Sequence, residues 1–375
     1  MRKVMLTNLD VGDRLATDIR IESSLPDVQY RVRIDRGTEL KSRHINRLRE
    51  EGIRSIFIQD PNTSDLNEYF EDQDLQQAEE ETIEQLQQTA ETIRDGEVTQ
   101  IPSQELKKSI EELIEILQES NASLAYTSLK RHSNYLAQHG FEVGKLSIYF
   151  ALSHRERLYE LYQQENPGSD RSAKEMINEL GLGAVLLDMG NWEIPAPTLE
   201  KSESLTTIEW EAIRQHPQLG FEILQEIDRM SREACLPALL HHERHGGQGY
   251  PEGKRSKNIH LFGRITAIID VYCALTTERP YRIELTPNRA RQIMIKMQED
   301  QLHFDPELFE SFLELVPPYP IGQDVILSDG TRGVVSSLEE GFEYPTVRIL
   351  YKGSEKIVSP EEIVVNREGT PDIVN

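Results

Sequence analysis

Between Pro237 and Arg255 the chain reads PALLHHERHGGQGYPEGKR: an apolar run, two adjacent histidines, then a loop built on Gly247, Gly249 and Pro251. Neighbouring residues of an α-helix point about 100° apart. His241 and His242 therefore serve adjoining positions of one polar site rather than one shared ligand direction. Gly247 and Gly249 permit close backbone approach, and Pro251 fixes the turn. His216, Asp188 and Asp270 lie on or beside other helical segments. Imidazole nitrogens combined with carboxylate oxygens suit Zn, Mn, Fe or Ni. The only cysteines, Cys235 and Cys273, are too few for a thiolate zinc site or a disulfide framework. Taken one at a time, histidines on helices are ordinary core or surface side chains.

Outward from this stretch the pattern is helical. Leu106, Ile110, Leu113, Ile114 and Leu117 recur at three- and four-residue steps, as do Leu146, Phe150, Leu158 and Leu161. Ile213, Leu219, Ile223, Leu224 and Ile227 repeat the pattern. An all-α domain is expected over residues 103–316, ended by Pro317, Pro318 and Pro320. Short β-type runs punctuated by Asp329-Gly330, Gly341 and Lys352-Gly353 follow, and predict a small β-barrel over 317–367 with a tail at 368–375. Residues 1–60 read as a small α+β module, with strands at Lys3–Leu6, Arg31–Ile34 and Ser55–Ile58. Its helix, Ser42–Glu51, is stopped by Gly52. Residues 61–102 carry many acids and glutamines around the single cation Arg94. Leu75, Ile83, Leu86 and Ile93 give them a thin apolar stripe, suited to a helical linker that can pair with a partner helix. The fold class expected is multi-domain and mainly α, a central helical bundle flanked by small terminal modules.

The chain has 375 residues, with 41 Lys+Arg against 65 Asp+Glu and a net charge of −24. That balance argues against binding nucleic-acid polymers or anionic membranes, since both would be repelled. It does not forbid one local basic pocket. The first residues lack the apolar core of a signal peptide, and no run approaches the roughly 20 apolar residues that span a bilayer. A reducing, cytoplasmic setting is expected.

The stretch His241-His242-Glu243 followed by Gly247-Gln248-Gly249-Tyr250-Pro251 resembles the signature of the HD-GYP domain family. GLGAVLLDMGNWEIP (181–195) is similar to that family's segment around its His-Asp and Gly-Lys pairs. Glu209-Trp210 with Arg214-Gln215-His216-Pro217 and Gly220 resembles the next His segment. RITAIIDVYCALTTERPYR (264–282) and His303–Glu307 resemble its closing helices, and Tyr135–His139 with Val143 its first His segment. The resemblance covers about 130–316, with five motifs in order; residues 1–60 more loosely resemble a module that often precedes such a domain. It implies a helical bundle holding a two- or three-metal centre that hydrolyses cyclic di-GMP. It places metal ligands at His139, Asp188, His216, His241, His242 and Asp270, with Asp188 bridging two ions.

Several positions depart from that pattern. Leu187 stands where the family has its eponymous His, and Asn191 where it has Lys. Gly246 and Cys273 replace aspartates, and Tyr135 replaces a Glu found in some members. A leucine cannot bind a metal, and an asparagine carries no charge for a phosphate. The resemblance is thus to a degenerate, "LD"-type member with no confident catalytic residue and one or two ions at reduced affinity. A ligand pocket is expected from Gly247, Gly249, Tyr250, Pro251, Lys254, Arg255, Arg279 and Arg282, with Lys257 and Arg264 adding to a basic rim. His132, His154, His245 and His260 are read as surface or capping residues, Cys235 as core, and Trp192 and Trp210 as packing. Glu243 is read as an exposed helical residue, or as a carboxylate orienting a neighbouring His.

Three functions fit: a cyclic di-GMP or partner-binding sensor with little or no hydrolysis, a metal-dependent cyclic di-GMP phosphodiesterase on a reduced site, or a ligand-free scaffold. A signalling partner at the acidic linker and a homodimer are also compatible.

Overall fold

The β-type runs near the two ends of the chain form sheets in the computed structural model. It describes residues 1–22, 30–51, 53, 55–69, 72–96, 101, 103–119, 135–199, 201, 204–277, 284–350 and 353–364. The chain divides into two compact units, one of residues 1–72, 121–133 and 317–375, the other of 73–120 and 134–316.

In the first unit, β1 (Arg2–Met5), β2 (Arg14–Leu15), β3 (Ile19–Glu22), β4 (Tyr30–Ile34), α1 (Ser42–Glu50) and β5 (Ser55–Gln59) follow one another. β5 pairs antiparallel with β1 on one side and β2 on the other, while β3 and β4 form a separate two-stranded ladder. Ile45 and Leu48 of α1 are buried, the i, i+3 spacing that marks its core face. After residue 316 come β6 (Asp324–Leu327), β7 (Arg332–Ser337), β8 (Thr346–Ile349), β9 (Glu355–Ile357) and β10 (Ile363–Val364). They form one antiparallel sheet in the order β10-β6-β7-β8-β9. The expected barrel is not closed: among the described residues the edge strands β9 and β10 do not pair. The three-residue β9 is wholly exposed, so it lacks the inward face that closure would bury.

Sequence reading treats the two ends as separate modules, but they share a core. Met1, Ala16, Phe57 and Leu66 cluster with Ile321, Val334 and Leu350. Arg2 pairs with Asp60 at 2.9 Å and Asp324 at 2.7 Å. Arg348 reaches Asp65 at 2.6 Å and Glu355 at 2.9 Å.

The second unit holds α2 (Gln73–Arg94), α3 (Ser103–Glu119), α4 (Tyr135–Ser153), α5 (Arg155–Glu165), α6 (Ala173–Val185), α7 (Ala196–Leu199) and α8 (Thr207–Ile213). It continues with α9 (His216–Glu226), α10 (Arg232–Leu240), α11 (Leu261–Thr276), α12 (Pro287–Gln301) and α13 (Pro306–Leu315). Local chemistry sets several starts. Ser172 and Glu175 form a capping box on α6, and Ser231 caps α10. Thr286 and Asp305 cap α12 and α13, each followed by Pro at the first helical position.

α4 and α11 are buried on nearly every side, as suits central helices. They pack on each other, and α4 also meets α2, α3 and α6. The acidic segment departs from the linker expected of it. Residues 61–69 form a 3-10 stretch in the first unit, whereas α2 packs on α3 and α4 with Ile83, Leu86 and Ile93 buried. Its stripe is thus covered by this chain's own helices rather than left for a partner helix. Among the described residues no helix is long and apolar enough to cross a membrane.

Candidate metal centre

Because α4 and α11 are central, their polar residues are carried inside, and the six candidate ligands come together there. α4 supplies His139, the turn after α6 Asp188, the start of α9 His216, the end of α10 His241 and His242, and α11 Asp270. The turn holding Asp188 lies hard against α9: a Cβ on Gly190 would strike the His216 carbonyl and sit 2.6 Å from the Gly220 nitrogen. Only glycine allows that approach.

Two of the histidines have their tautomers set by the backbone. His216 Nδ1 donates to the Ile213 carbonyl at 2.7 Å, and His241 Nδ1 donates to the Pro237 carbonyl at 2.9 Å. In the neutral rings both Nε2 atoms then carry bare lone pairs, and they face each other at 3.1 Å. Asp188 Oδ1 lies 3.4 Å from His216 Nε2 and 3.7 Å from His241 Nε2. His242 joins them, with donor atoms of all three histidines within 4.8 Å of one another. Tetrahedral ligands on a zinc-sized ion sit about 3.3 Å apart. Two lone pairs and a carboxylate converging at this spacing fit a divalent cation.

Asp188 turns its second oxygen the other way, 3.9 Å from His139 Nε2. His139 Nε2 is 2.9 Å from Asp270 Oδ1, and its buried Nδ1 has no hydrogen-bond partner among the described residues. Asp188 thus presents one oxygen to each half of the cluster. Burial and the adjacent His216 lower the pKa of His241. Burial and His241 push that of His242 down further, so both rings are held neutral, as ligation requires. Burial alone would raise Asp270, but the His139 hydrogen bond and the surrounding imidazoles outweigh it and hold the carboxyl below its usual range.

The loop after His242 is strapped to the cluster. Glu243 is buried, and its carboxylate accepts the backbone N–H of Glu252 at 2.8 Å and of Lys254 at 2.9 Å. It is neither the exposed helical residue nor the His-orienting carboxylate expected. Arg244 donates to the carbonyls of His241 at 2.8 Å and Glu243 at 2.9 Å. A Cβ on Gly249 would collide with Arg244 N, Glu243 Cα and His242 O, so the Gly-Tyr-Pro turn passes where no side chain fits. Tyr250 precedes a cis peptide to Pro251 and stacks on His242, ring centroids 4.6 Å apart. Burial raises the Tyr250 phenol pKa and keeps it protonated.

The departing positions have definite surroundings. Leu187 is fully buried. Asn191 donates from Nδ2 to Asp188 Oδ1 at 2.8 Å, so its amide holds the carboxylate. Cys273 is buried, and its burial raises the thiol pKa well above the ordinary value, leaving a neutral thiol. Tyr135 stacks on His139 at 5.6 Å. Of the expected rim, Gly247 has a positive φ and lies against the Arg255 side chain, while Lys254 is paired with Glu252. Arg264 does not belong to the rim: it is buried and paired with Asp305 at 2.7 Å and with Glu165. His260 caps α11, and Trp192 and Cys235 are buried, but Trp210 is 49% exposed and is not a packing residue. Arg279, Arg282 and His132 lie outside the described residues. Sequence reading missed the tasks of Arg214, whose guanidinium lies 4.6 Å over the Tyr250 ring, and of Arg244. The signal available for Arg214 was its place two residues before His216. It also missed Lys145, buried beside Glu142 at 2.7 Å.

A helical unit that gathers four histidines and two aspartates from α4, α9, α10, α11 and the turn after α6, with His139 and Asp270 hydrogen-bonded across its centre, has the donor chemistry of a metal-binding helical domain. Residues 151–308 match the HD domain family. It is similar to a cyclic di-GMP phosphodiesterase of Pseudomonas aeruginosa, 33% identical over 68% of this chain and 58% of that protein. The cyclic di-GMP phosphodiesterase response regulator RpfG of Xanthomonas campestris is 36% identical over 38% of this chain and 37% of its own. A 3'3'-cGAMP-specific phosphodiesterase of Vibrio cholerae is 32% identical over 53% of this chain and 35% of its own. In each case the match spans less than two thirds of the relative's length.

Proposed function

We propose that the helical unit binds cyclic di-GMP over a divalent-metal centre and signals its presence, with hydrolysis absent or slow. His216, His241 and His242 with Asp188 would hold one ion, and His139, Asp270 and the second oxygen of Asp188 would hold another at lower affinity. A bound Fe, Mn, Ni or Zn ion would supply Lewis-acid neutralisation of phosphate charge and activation of water. The protein's own groups position it: two backbone carbonyls fix the His216 and His241 rings, and Asn191 fixes Asp188. The relatives named for cyclic di-GMP hydrolysis support this ligand.

The observation that carries the sensor reading is the pair Leu187 and Asn191. One is an apolar side chain buried in the core, and the amide of the other is spent on Asp188. Leu187 cannot add a metal ligand, and Asn191 cannot add a cation for the phosphate. The test combines elemental analysis, calorimetric titration with cyclic di-GMP, and a product assay on the same preparation. Metal and saturable binding with negligible product are expected. Fast metal-dependent hydrolysis would overturn the sensor reading. Leu187→His with Asn191→Lys is expected to raise both metal content and turnover.

The converged lone pairs of His216 and His241 favour a second reading, a slow phosphodiesterase. On that reading His241→Ala abolishes whatever turnover the chain has, and turnover that survives the change comes from elsewhere.

A further inference from the structure

Arg214 follows the last turn of α8 at the surface, and among the described residues its guanidinium makes no ion pair or hydrogen bond. What it touches is the Tyr250 ring, 4.6 Å from its centroid. Tyr250 in turn lies on His242, at 4.6 Å and with the planes 23° apart. Contacts thus lead from His242 of the proposed metal centre through Tyr250 to the exposed Arg214. Trp210 stands one turn before Arg214, at the i, i+4 spacing that puts two side chains on one helix face. It is 49% exposed, whereas the only other tryptophan, Trp192, is 5% exposed. α8 is short but firmly seated: Thr206 and Glu209 form a capping box, and Lys201 donates to the Glu209 carboxylate at 2.7 Å. That carboxylate is therefore committed to Lys201 and the Thr206 cap rather than to Arg214.

A guanidinium stacked on an aromatic ring has its plane held while its N–H edges stay open. That arrangement suits bidentate contact with phosphate oxygens. An exposed indole beside it offers a flat apolar face of the kind on which nucleobases stack. A cation without a partner among the described residues is notable in a chain where acids outnumber bases 65 to 41.

We propose that the Trp210–Arg214 face of α8 is a purine-nucleotide subsite, Arg214 taking a phosphate of a cyclic dinucleotide held at the metal centre and Trp210 stacking on one of its bases. The inference rests on the function proposed above and adds residues that the five sequence motifs leave without a ligand role.

The test uses the full-length chain, with cyclic di-GMP titrated by calorimetry and by tryptophan fluorescence, and with bound metal measured on each preparation. Arg214→Ala is expected to weaken binding by about ten- to a hundredfold, the range for losing a charge-assisted hydrogen bond. Metal content is expected to stay the same. Arg214→Lys should fall between the two, because it keeps the charge and loses the stacked fork. Cyclic di-GMP should change the fluorescence of the wild-type chain, and Trp210→Phe should remove that change. Wild-type affinity in Arg214→Ala with metal content intact overturns the subsite and leaves the functional reading standing, as does a fluorescence change that persists in Trp210→Phe. No binding by the metal-loaded wild-type chain overturns both.

Discussion

Glu243 shows how a residue beside a candidate metal centre can matter without touching a ligand. It follows His242 directly, yet its carboxylate takes the backbone N–H groups of Glu252 and Lys254 and so holds the Gly-Tyr-Pro turn in place. Removing it would leave two backbone donors without their acceptor in a partly buried loop, at a cost of about 1–3 kcal/mol each where water cannot replace it. Glu243→Ala is therefore expected to lower stability by about 2 kcal/mol, read as the midpoint of urea unfolding. It should also weaken cyclic di-GMP binding more than metal binding, because Tyr250 lies on the loop and the histidines do not.

Among the elements, α11 carries a pH-dependent start. His260 Nδ1 accepts the Phe262 N–H, so Nε2 bears the ring's proton, and that buried atom has no acceptor among the described residues. Burial pushes the His260 pKa down to about 4 from the ordinary 6.5. Between those values the unfolded chain binds the proton and the folded chain does not. Stability contributed by the neutral ring is complete above pH 6.5 and is lost as the pH falls towards 4. The loss amounts to at most about 3 kcal/mol. His260→Asn keeps a side-chain cap without a titrating group. Its urea midpoint is expected to fall less than that of the wild-type chain between pH 6.5 and pH 4. A parallel fall in both proteins would place the dependence elsewhere.

For the whole molecule, the two ends of the chain belong to one unit. Met1, Ala16, Phe57 and Leu66 rest on Ile321, Val334 and Leu350, and Arg2 compensates the half-buried Asp324. Asp324 is held up at about 6 chiefly by burial, against the pull of Arg2. Cutting the chain after residue 316 would expose the apolar residues of the N-terminal half and leave Arg2 without one of its carboxylates. Amides of residues 1–69 are then expected to lose hydrogen-exchange protection, while the helical unit, whose six candidate ligands all lie outside the deletion, keeps its metal content. Unchanged protection in the N-terminal segment would show that this half is stable alone.

Much of the site was legible in the order of residues. The three- and four-residue apolar spacing marks the helices. The histidine pair and its glycine loop carry a chemistry that needs those residue types. The lack of a ligand at Leu187 and of a charge at Asn191 can be read directly, because an aliphatic side chain cannot ligate a metal and a neutral amide carries no charge anywhere in a fold. What spacing does not encode is which surface covers an apolar face. The stripe of α2 reads equally well as a free linker face, and only packing on α3 and α4 decides its occupant. The pairing of the first residues with a strand more than three hundred positions later has no local signature either, nor does the open strand order of the last sheet among the described residues. Residue type and short-range periodicity were enough to read the helical class and to nominate the candidate ligands. Only the tertiary structure decided that Glu243 straps a loop, that Trp210 stands in solvent and that Arg214 lies on Tyr250, because each depends on contacts between segments whose separation no local pattern records.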